Sequence, residues 1–257
     1  METSDLNACA DLVRRADPER FLAAMAAPVD ARRVLFPVYA FNVEVARAPW
    51  VTQETMIAEM RLQWWRDALD EIRTGADVRR HEVVTPLASV LDAKSADLLE
   101  QLVEARRWDI YRDPFEDDAA FRNYLDRTAG NLMLAAARSL GEASEQVVRD
   151  AAFAQGLANW FRAIPALEAA GRVPLTDGRP DAVKALAGEG LDALRRARSK
   201  RSTISRTAKS AMLPLWQAGL VLSRAYADPG RVAAGALEPS PVRSRLGLML
   251  RAMSGRW

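Results

Sequence analysis

The chain has 257 residues, enough to bury a substantial core, with 49% hydrophobic and 27% charged residues and a formal net charge of +2. Its only cysteine, Cys9, excludes an intramolecular disulfide and any multi-cysteine zinc site. Ala, Leu and Arg dominate over β-branched and aromatic residues, so propensity favours helix.

In chain order, the first twenty residues mix Asp, Glu and Arg without the apolar run of a secretory signal. Asp30 is placed to cap a helix through ARRVLFPVYAFNVEVARA, with Val34, Leu35, Val38, Phe41 and Val45 on one face and Pro37 and Pro49 as kink and stop. QETMIAEMRLQWWRDALDEIR follows, opened by Thr52 with Glu54 and Glu59. Its spacing of four puts Met56, Met60, Trp64 and Ala68 together, and Gly75 ends it. The lone histidine, His81, falls in a charged stretch that reads as a solvated connector.

Ser95 to Trp108 predicts a short amphipathic helix. Pro114 and the acids Glu116 to Asp118 mark the start of a small-residue-rich helix that ends at Gly141. Glu145 to Ala163 forms another, interrupted by Pro165, and after a Gly/Pro/Asp loop from Gly171 to Asp181 two or three further helices reach the end. There are no alternating strands, no repeat and no linker, so residues 1–257 read as a single all-α domain. The longest charge-free run of the C-terminal half, Ser210 to Ser223, contains Pro214 and is too short to span a bilayer; a cytoplasmic location is expected.

Charge is unevenly distributed. Arg195 to Trp257 carries 13 Lys or Arg and two acids, Asp228 and Glu238, while the remainder holds 23 bases and 32 acids. The basic part is either a face closing onto the acidic part of the same domain or a surface for something anionic, such as phospholipid headgroups or an acidic partner. The run from Arg195 to Lys209 has seven positive charges and no acid, but it lacks the interleaved aromatics of a nucleic-acid site.

Three segments carry a resemblance. Asn159, Arg162, Gly171 and Arg172 keep the frame of an N-x-x-R-D-x-x-E-D…G-R motif, with Ala163, Ala166 and Leu167 at its acid positions. Arg33, Tyr39, Ala40 and Phe41 fit R-x-x-x-x-x-Y-A-F-C-R, and the D-D-x-x-D expected after it is replaced by Ala46, Arg47 and Trp50. YLDRTAGNLM, from Tyr124 to Met133, retains Arg127, Ala129 and Gly130 of Y-x-x-R-V-A-G-x-V-G. Together they resemble the squalene/phytoene synthase family, which implies an isoprenoid (terpenoid) synthase-type helical bundle around a central cavity. In that family two carboxylate clusters hold magnesium, which neutralises a departing diphosphate. Ala, Leu and Trp cannot ligate it. Asp67, Asp70 and Glu71 share a helix face, but Arg61, Arg66 and Arg73 surround them, so they read as a solvated salt-bridge face. Trp64 and Trp65 read as packing residues.

FNVE, M-R-x-Q-W-W and A-Q-G followed by R-A-x-P resemble the non-catalytic branch of the family, which includes a mitochondrial assembly factor for respiratory complex I. The resemblance implies a pseudoenzyme with no catalytic residues, no metal ligands and no cofactor. Its partners would be complex I subunits or assembly intermediates, and it would sit in the cytoplasm, peripheral to the inner membrane through the basic C-terminal part. An isoprenoid, quinone-tail or phosphate-bearing ligand would meet Arg47, Asn159, Arg162 and Arg172, with Arg127 retained and Tyr39 and Phe41 nearby. The alternative is a working head-to-head prenyl diphosphate synthase that binds magnesium through unusual ligands.

Overall fold

Thirteen α-helices account for most of the residues in the computed structural model, which describes residues 3–52 and 54–257, apart from the side chains of 3, 241 and 243. Gln53, placed by the sequence at the head of a helix, lies outside the described residues. The helices are α1 (Thr3–Ala16), α2 (Pro18–Ala26), α3 (Val29–Arg47), α4 (Thr55–Thr74), α5 (Val84–Ala88), α6 (Ala93–Ala105), α7 (Asp118–Leu125), α8 (Asn131–Leu140), α9 (Glu145–Ala169), α10 (Pro180–Ser199), α11 (Ala218–Ala227), α12 (Gly230–Ala233) and α13 (Pro241–Ser254). A π-helical turn, Asp126–Gly130, joins α7 to α8, and a 3₁₀ segment, Ala208–Gln217, leads into α11. The all-α expectation holds, and among the described residues there is no strand, only an isolated bridge between Ala143 and Ile204.

The centre of the bundle is α9. Val148, Ala151, Ala152, Ala154, Leu157 and Phe161 are fully buried on it, pointing to several sides, as a helix enclosed by neighbours must be. It packs on α10, α11, α8 and the π-helical turn. Its contact with that turn is close: a Cβ on Gly156 would stand 2.8 Å from the Cβ of Ala129, nearer than two carbons can sit, so the glycine of A-Q-G is a packing requirement. The expected break at Pro165 does not occur. α9 runs on to Ala169, with Phe161 and Ile164 buried beside the proline; tertiary packing outweighs the missing N–H.

Of the expected α3 stripe, Leu35, Val38, Phe41 and Val45 are fully buried and Val34 only partly so, and Pro28, not Asp30, precedes the first turn. In α4 the expected stripe holds at Trp64 and Ala68 and fails at its two methionines. Met56 and Met60 are 74% and 65% exposed, and the buried positions are Ala58, Leu62, Trp65, Ala68 and Leu69. A strict spacing of four drifts about 40° around the helix at each step, so Met56 and Ala68 lie on different faces. Gly75, at φ 70°, ends α4 as anticipated, and Asp117 caps α7 through the Ala120 amide at 2.7 Å.

Trp65 packs edge-on against Phe41 and Trp64, with ring centroids 5.3 and 5.0 Å apart. His81 is no free connector residue. Its ring lies 5.1 Å from that of Trp64, and its Nδ1 accepts a hydrogen bond from the Val83 amide. Asp70 pairs with Arg73, Glu71 with Arg79, and Asp67 accepts from Gln63 on the outer face of α4, as the salt-bridge reading requires.

Candidate functional site

A cavity of about 600 Å3 opens between α3, α9, the π-helical turn and the α1–α2 junction. This lies within the roughly 300–1,000 Å3 of small-molecule sites. One face of α3 supplies Asn42, Val43, Ala46 and Arg47, and Trp50 follows just beyond the helix. From the opposite side α9 contributes Gly156, Asn159, Trp160, Ala163 and Leu167, positions three or four apart that share one face. Leu125, Thr128, Ala129 and Leu132 complete an apolar wall.

Two carboxylates reach this wall, Asp17 and Asp109, and each is already bonded. Asp17 caps α2 by accepting from the Arg20 amide at 3.0 Å and also takes the Arg20 guanidinium, which lies over the Tyr39 ring. Asp109 accepts from the Arg106 guanidinium at 2.9 Å and from the Tyr124 hydroxyl at 2.7 Å, while Arg106 also donates to Tyr124 at 2.8 Å. Burial pushes the Tyr124 hydroxyl well above its ordinary range. Burial alone would lower the Arg106 pKa, but Tyr124 and Asp109 more than offset this and hold the guanidinium charged. Beneath lies an aromatic floor in which Trp108 stacks on Phe115 at 4.1 Å and Tyr124 and Trp160 meet at 5.4 Å.

This donor set does not fit a magnesium cluster. A magnesium site needs convergent carboxylate oxygens left free for the metal, whereas both wall carboxylates are consumed by arginine. Among the described residues no group of three or more His, Cys, Asp or Glu is gathered to hold a metal ion.

The sequence-derived residues divide. Arg47, half exposed and 3.1 Å from Glu44, lines the cavity, as does Asn159. Tyr39 is buried behind the wall under Arg20. Phe41 does not reach the cavity; it points the other way, into the α3–α4 core, because one helix cannot turn positions 41 and 43 to the same side.

Arg162 is also off the wall: Glu19 and Glu238 take its guanidinium and tie α9 to α2 and to the segment after α12. Arg127 lies outside the lining, and its neighbour Asp126 pairs with Arg149 at 2.8 Å. Arg172 does not line the main cavity either: it is buried, donates to the Asp109 and Tyr111 carbonyls, sits over Trp50 at 5.1 Å and lines a second pocket, which shares Trp50 with the first. Arg106, Asp109, Asn42 and Thr128 were missed. The R-x-x-D spacing at 106–109 is the available signal, and it straddles the end of the helix predicted over Ser95 to Trp108.

The family model for squalene/phytoene synthase matches residues 13–252. The chain belongs to the squalene/phytoene synthase family. Its fold superposes on a dehydrosqualene synthase with a TM-score of 0.78 at 15% identity, covering 98% of this chain and 96% of the other. The squalene synthase HpnC of Alicyclobacillus acidocaldarius gives a TM-score of 0.56 at 19% identity, over 97% and 92% of the two chains. At such identities the superpositions speak for the fold alone.

In sequence the chain is 30% identical over 172 residues to the Drosophila melanogaster protein named NADH dehydrogenase (ubiquinone) complex I, assembly factor 6 homolog, covering 61% of this chain and 50% of that protein. To the human assembly factor 6 it is 28% identical over 166 residues, covering 61% and 48%. The chain thus spans about half the length of these relatives. Among the described residues no helix is long and apolar enough to cross a membrane.

Proposed function

We propose that this squalene/phytoene synthase-fold protein is a non-catalytic assembly factor for respiratory complex I, and that its cavity binds an isoprenoid-like or other lipid-like ligand without magnesium. The observation that carries this reading is the cavity wall. Asp17 and Asp109 are spent on Arg20 and Arg106, and the positions where the family keeps acids hold Ala46, Arg47, Trp50, Ala163 and Leu167. A diphosphate leaving group would meet cations but no metal clamp, so it could be bound without being ionised. The apolar wall and aromatic floor suit a hydrocarbon chain, and Arg47 at the rim suits an anionic or carbonyl-bearing head. The assembly role comes from the relatives that carry that name. On this reading the protein works in the cytoplasm against the inner membrane.

The competing reading, a head-to-head prenyl diphosphate synthase, rests on membership of the squalene/phytoene synthase family. Fold does not carry chemistry, however, when the groups that perform it are replaced.

The deciding experiment supplies purified protein with farnesyl or geranylgeranyl diphosphate and magnesium and measures released diphosphate, alongside complex I activity in a strain lacking the gene. We expect no release, and loss of complex I activity that the wild-type gene restores. Magnesium-dependent turnover would overturn the non-catalytic reading, and intact complex I in the deletion strain would overturn the assembly role.

A further inference from the structure

The last helix is built inside out. On α13 the large apolar side chains Val242, Leu246, Met249, Leu250 and Met253 are 55–83% exposed, while Ser244, Gly247, Arg251 and Ala252 are partly buried and, among the described side chains of the helix, only Leu248 is buried. At 100° per residue the five exposed positions fall within an arc of roughly 100°, one continuous stripe along the helix. Scattered exposed apolar residues need no explanation, but a whole stripe does. Arg245 is exposed at its edge, and from Pro239 to Trp257 there is no acid.

Beside the stripe lies a groove of about 380 Å3 between α13, the 3₁₀ segment Ala208–Gln217 and the α2–α3 junction. Its charged lining is Arg206, Lys209, Arg251 and Arg256, with no carboxylate side chain. Met253, the most exposed residue of the stripe, also lines the groove, so apolar face and cationic groove are continuous. Among the described residues Arg206, Lys209 and Arg256 make no ion pair, unlike Arg195 and Arg196 earlier in the basic run, which pair with Asp192 and Asp150. Burial, followed by the charge of Arg251, lowers the pKa of nearby Arg198, whose Nε donates to the Trp257 oxygen at 3.0 Å.

We propose that α13 is an in-plane membrane anchor: its Val242–Met253 stripe enters the headgroup–acyl boundary of an anionic bilayer while the adjoining groove takes lipid phosphates. An apolar arc edged by arginine and free of acids is the pattern of interfacial helices, which lie about 5–10 Å deep. The inference rests on α13 and its groove alone and stands or falls independently of what the central cavity holds.

The test is co-sedimentation of the full chain with vesicles of phosphatidylglycerol and phosphatidylcholine, against vesicles of phosphatidylcholine alone. Binding is expected to the anionic vesicles, weaker by roughly tenfold or more to the neutral ones and reduced by added salt. Leu246→Glu with Leu250→Glu, both at exposed positions, is expected to abolish binding while leaving the helical circular dichroism unchanged. Arg206→Glu with Lys209→Glu removes the groove charge without touching the stripe and is expected to remove the preference for anionic lipid. Absence of binding to anionic vesicles, or wild-type binding by the stripe variant, would overturn the proposal. So would light scattering that shows a dimer dissolved by the same stripe variant, because the face would then join two copies of the chain.

Discussion

Arg162 on α9 holds Glu19 on α2 by two hydrogen bonds of 2.6 and 2.7 Å, across 143 residues of chain. Glu238 accepts from the third guanidinium nitrogen at 2.7 Å, so one side chain fastens three segments. The pair with Glu19 is largely shielded, with side chains 21% and 32% exposed. Replacing Arg162 by Ala strands a partly buried carboxylate and is expected to cost about 2 kcal/mol. Lysine cannot reproduce the two-pronged geometry and should recover less than half of that. A lower urea midpoint at constant slope would report the loss. Ligand affinity of the cavity should not change, because Arg162 does not line it.

The contact of Gly156 with Ala129 makes a second prediction, in which two effects oppose each other. Alanine in a helix gains about 1 kcal/mol over glycine by propensity. A Cβ at position 156, however, would sit 2.8 Å from that of Ala129, and overpacking of this kind costs about 1–3 kcal/mol. Gly156→Ala should therefore destabilise despite the better propensity. Adding Ala129→Gly should restore part of the loss, and the non-additivity of the double-mutant cycle measures the contact.

The same two residues show what sequence could reach. The A-Q-G and T-A-G segments were visible as family marks, and the helices that carry them were placed to within a few residues. Those assignments depend on local pattern, which the sequence contains. That Gly156 and Ala129 touch is tertiary, and no periodicity reports it. The cavity wall shows the same division. Ala46, Trp50, Ala163 and Leu167 were found because the family frame gives their register, whereas Arg106 and Asp109 were missed because their role exists only once Tyr124 is brought beneath them. Arg162 fits the family frame, but the direction of its side chain was decided by Glu19, which no motif contains. Met56 and Met60 were misassigned by a spacing rule that drifts, and Pro165 by a backbone rule that buried neighbours override.

Cys9 gives a pH-dependent prediction. It is fully buried on α1 with its Sγ 3.4 Å from the Glu82 carbonyl, and burial, aided by the charges of Glu82 and Asp5, pushes its thiol from an ordinary 9.0 up to about 12. Only the thiolate reacts, so Ellman's reagent at pH 8 should label the native protein at least ~100-fold more slowly than the urea-unfolded chain. The raised pKa also sets a sign. The contribution is complete below pH 9 and is lost between pH 9 and 12, where the unfolded chain releases the proton and the folded one retains it, at up to about 1.4 kcal/mol per pH unit. Cys9→Ala should flatten the alkaline stability profile by about one proton; an unchanged slope would mean that the thiol titrates normally. The raised hydroxyls of Tyr39 and Tyr124 act in the same direction and would remain.

Acids can be built into the cavity wall. Ala46 and Trp50 on one side and Ala163 and Leu167 on the other all line the same cavity, so the variant Ala46→Asp, Trp50→Asp, Ala163→Asp, Leu167→Asp would turn four carboxylates toward a shared space. Without metal, these like charges should repel and lower the melting temperature. Magnesium bound only by the folded state would reverse this, by about 2.7 kcal/mol at a hundredfold excess over Kd. Wild-type protein, whose Asp17 and Asp109 are taken by Arg20 and Arg106, should show no magnesium-dependent shift. Differential scanning calorimetry of both proteins with and without millimolar magnesium measures the difference. A shift confined to the variant would mean that the bundle still aims α3 and α9 at one ion and lacks only the ligands. A shift in wild type of the same size would mean that the chain binds magnesium through residues outside this wall, and the non-catalytic reading would lose its main support.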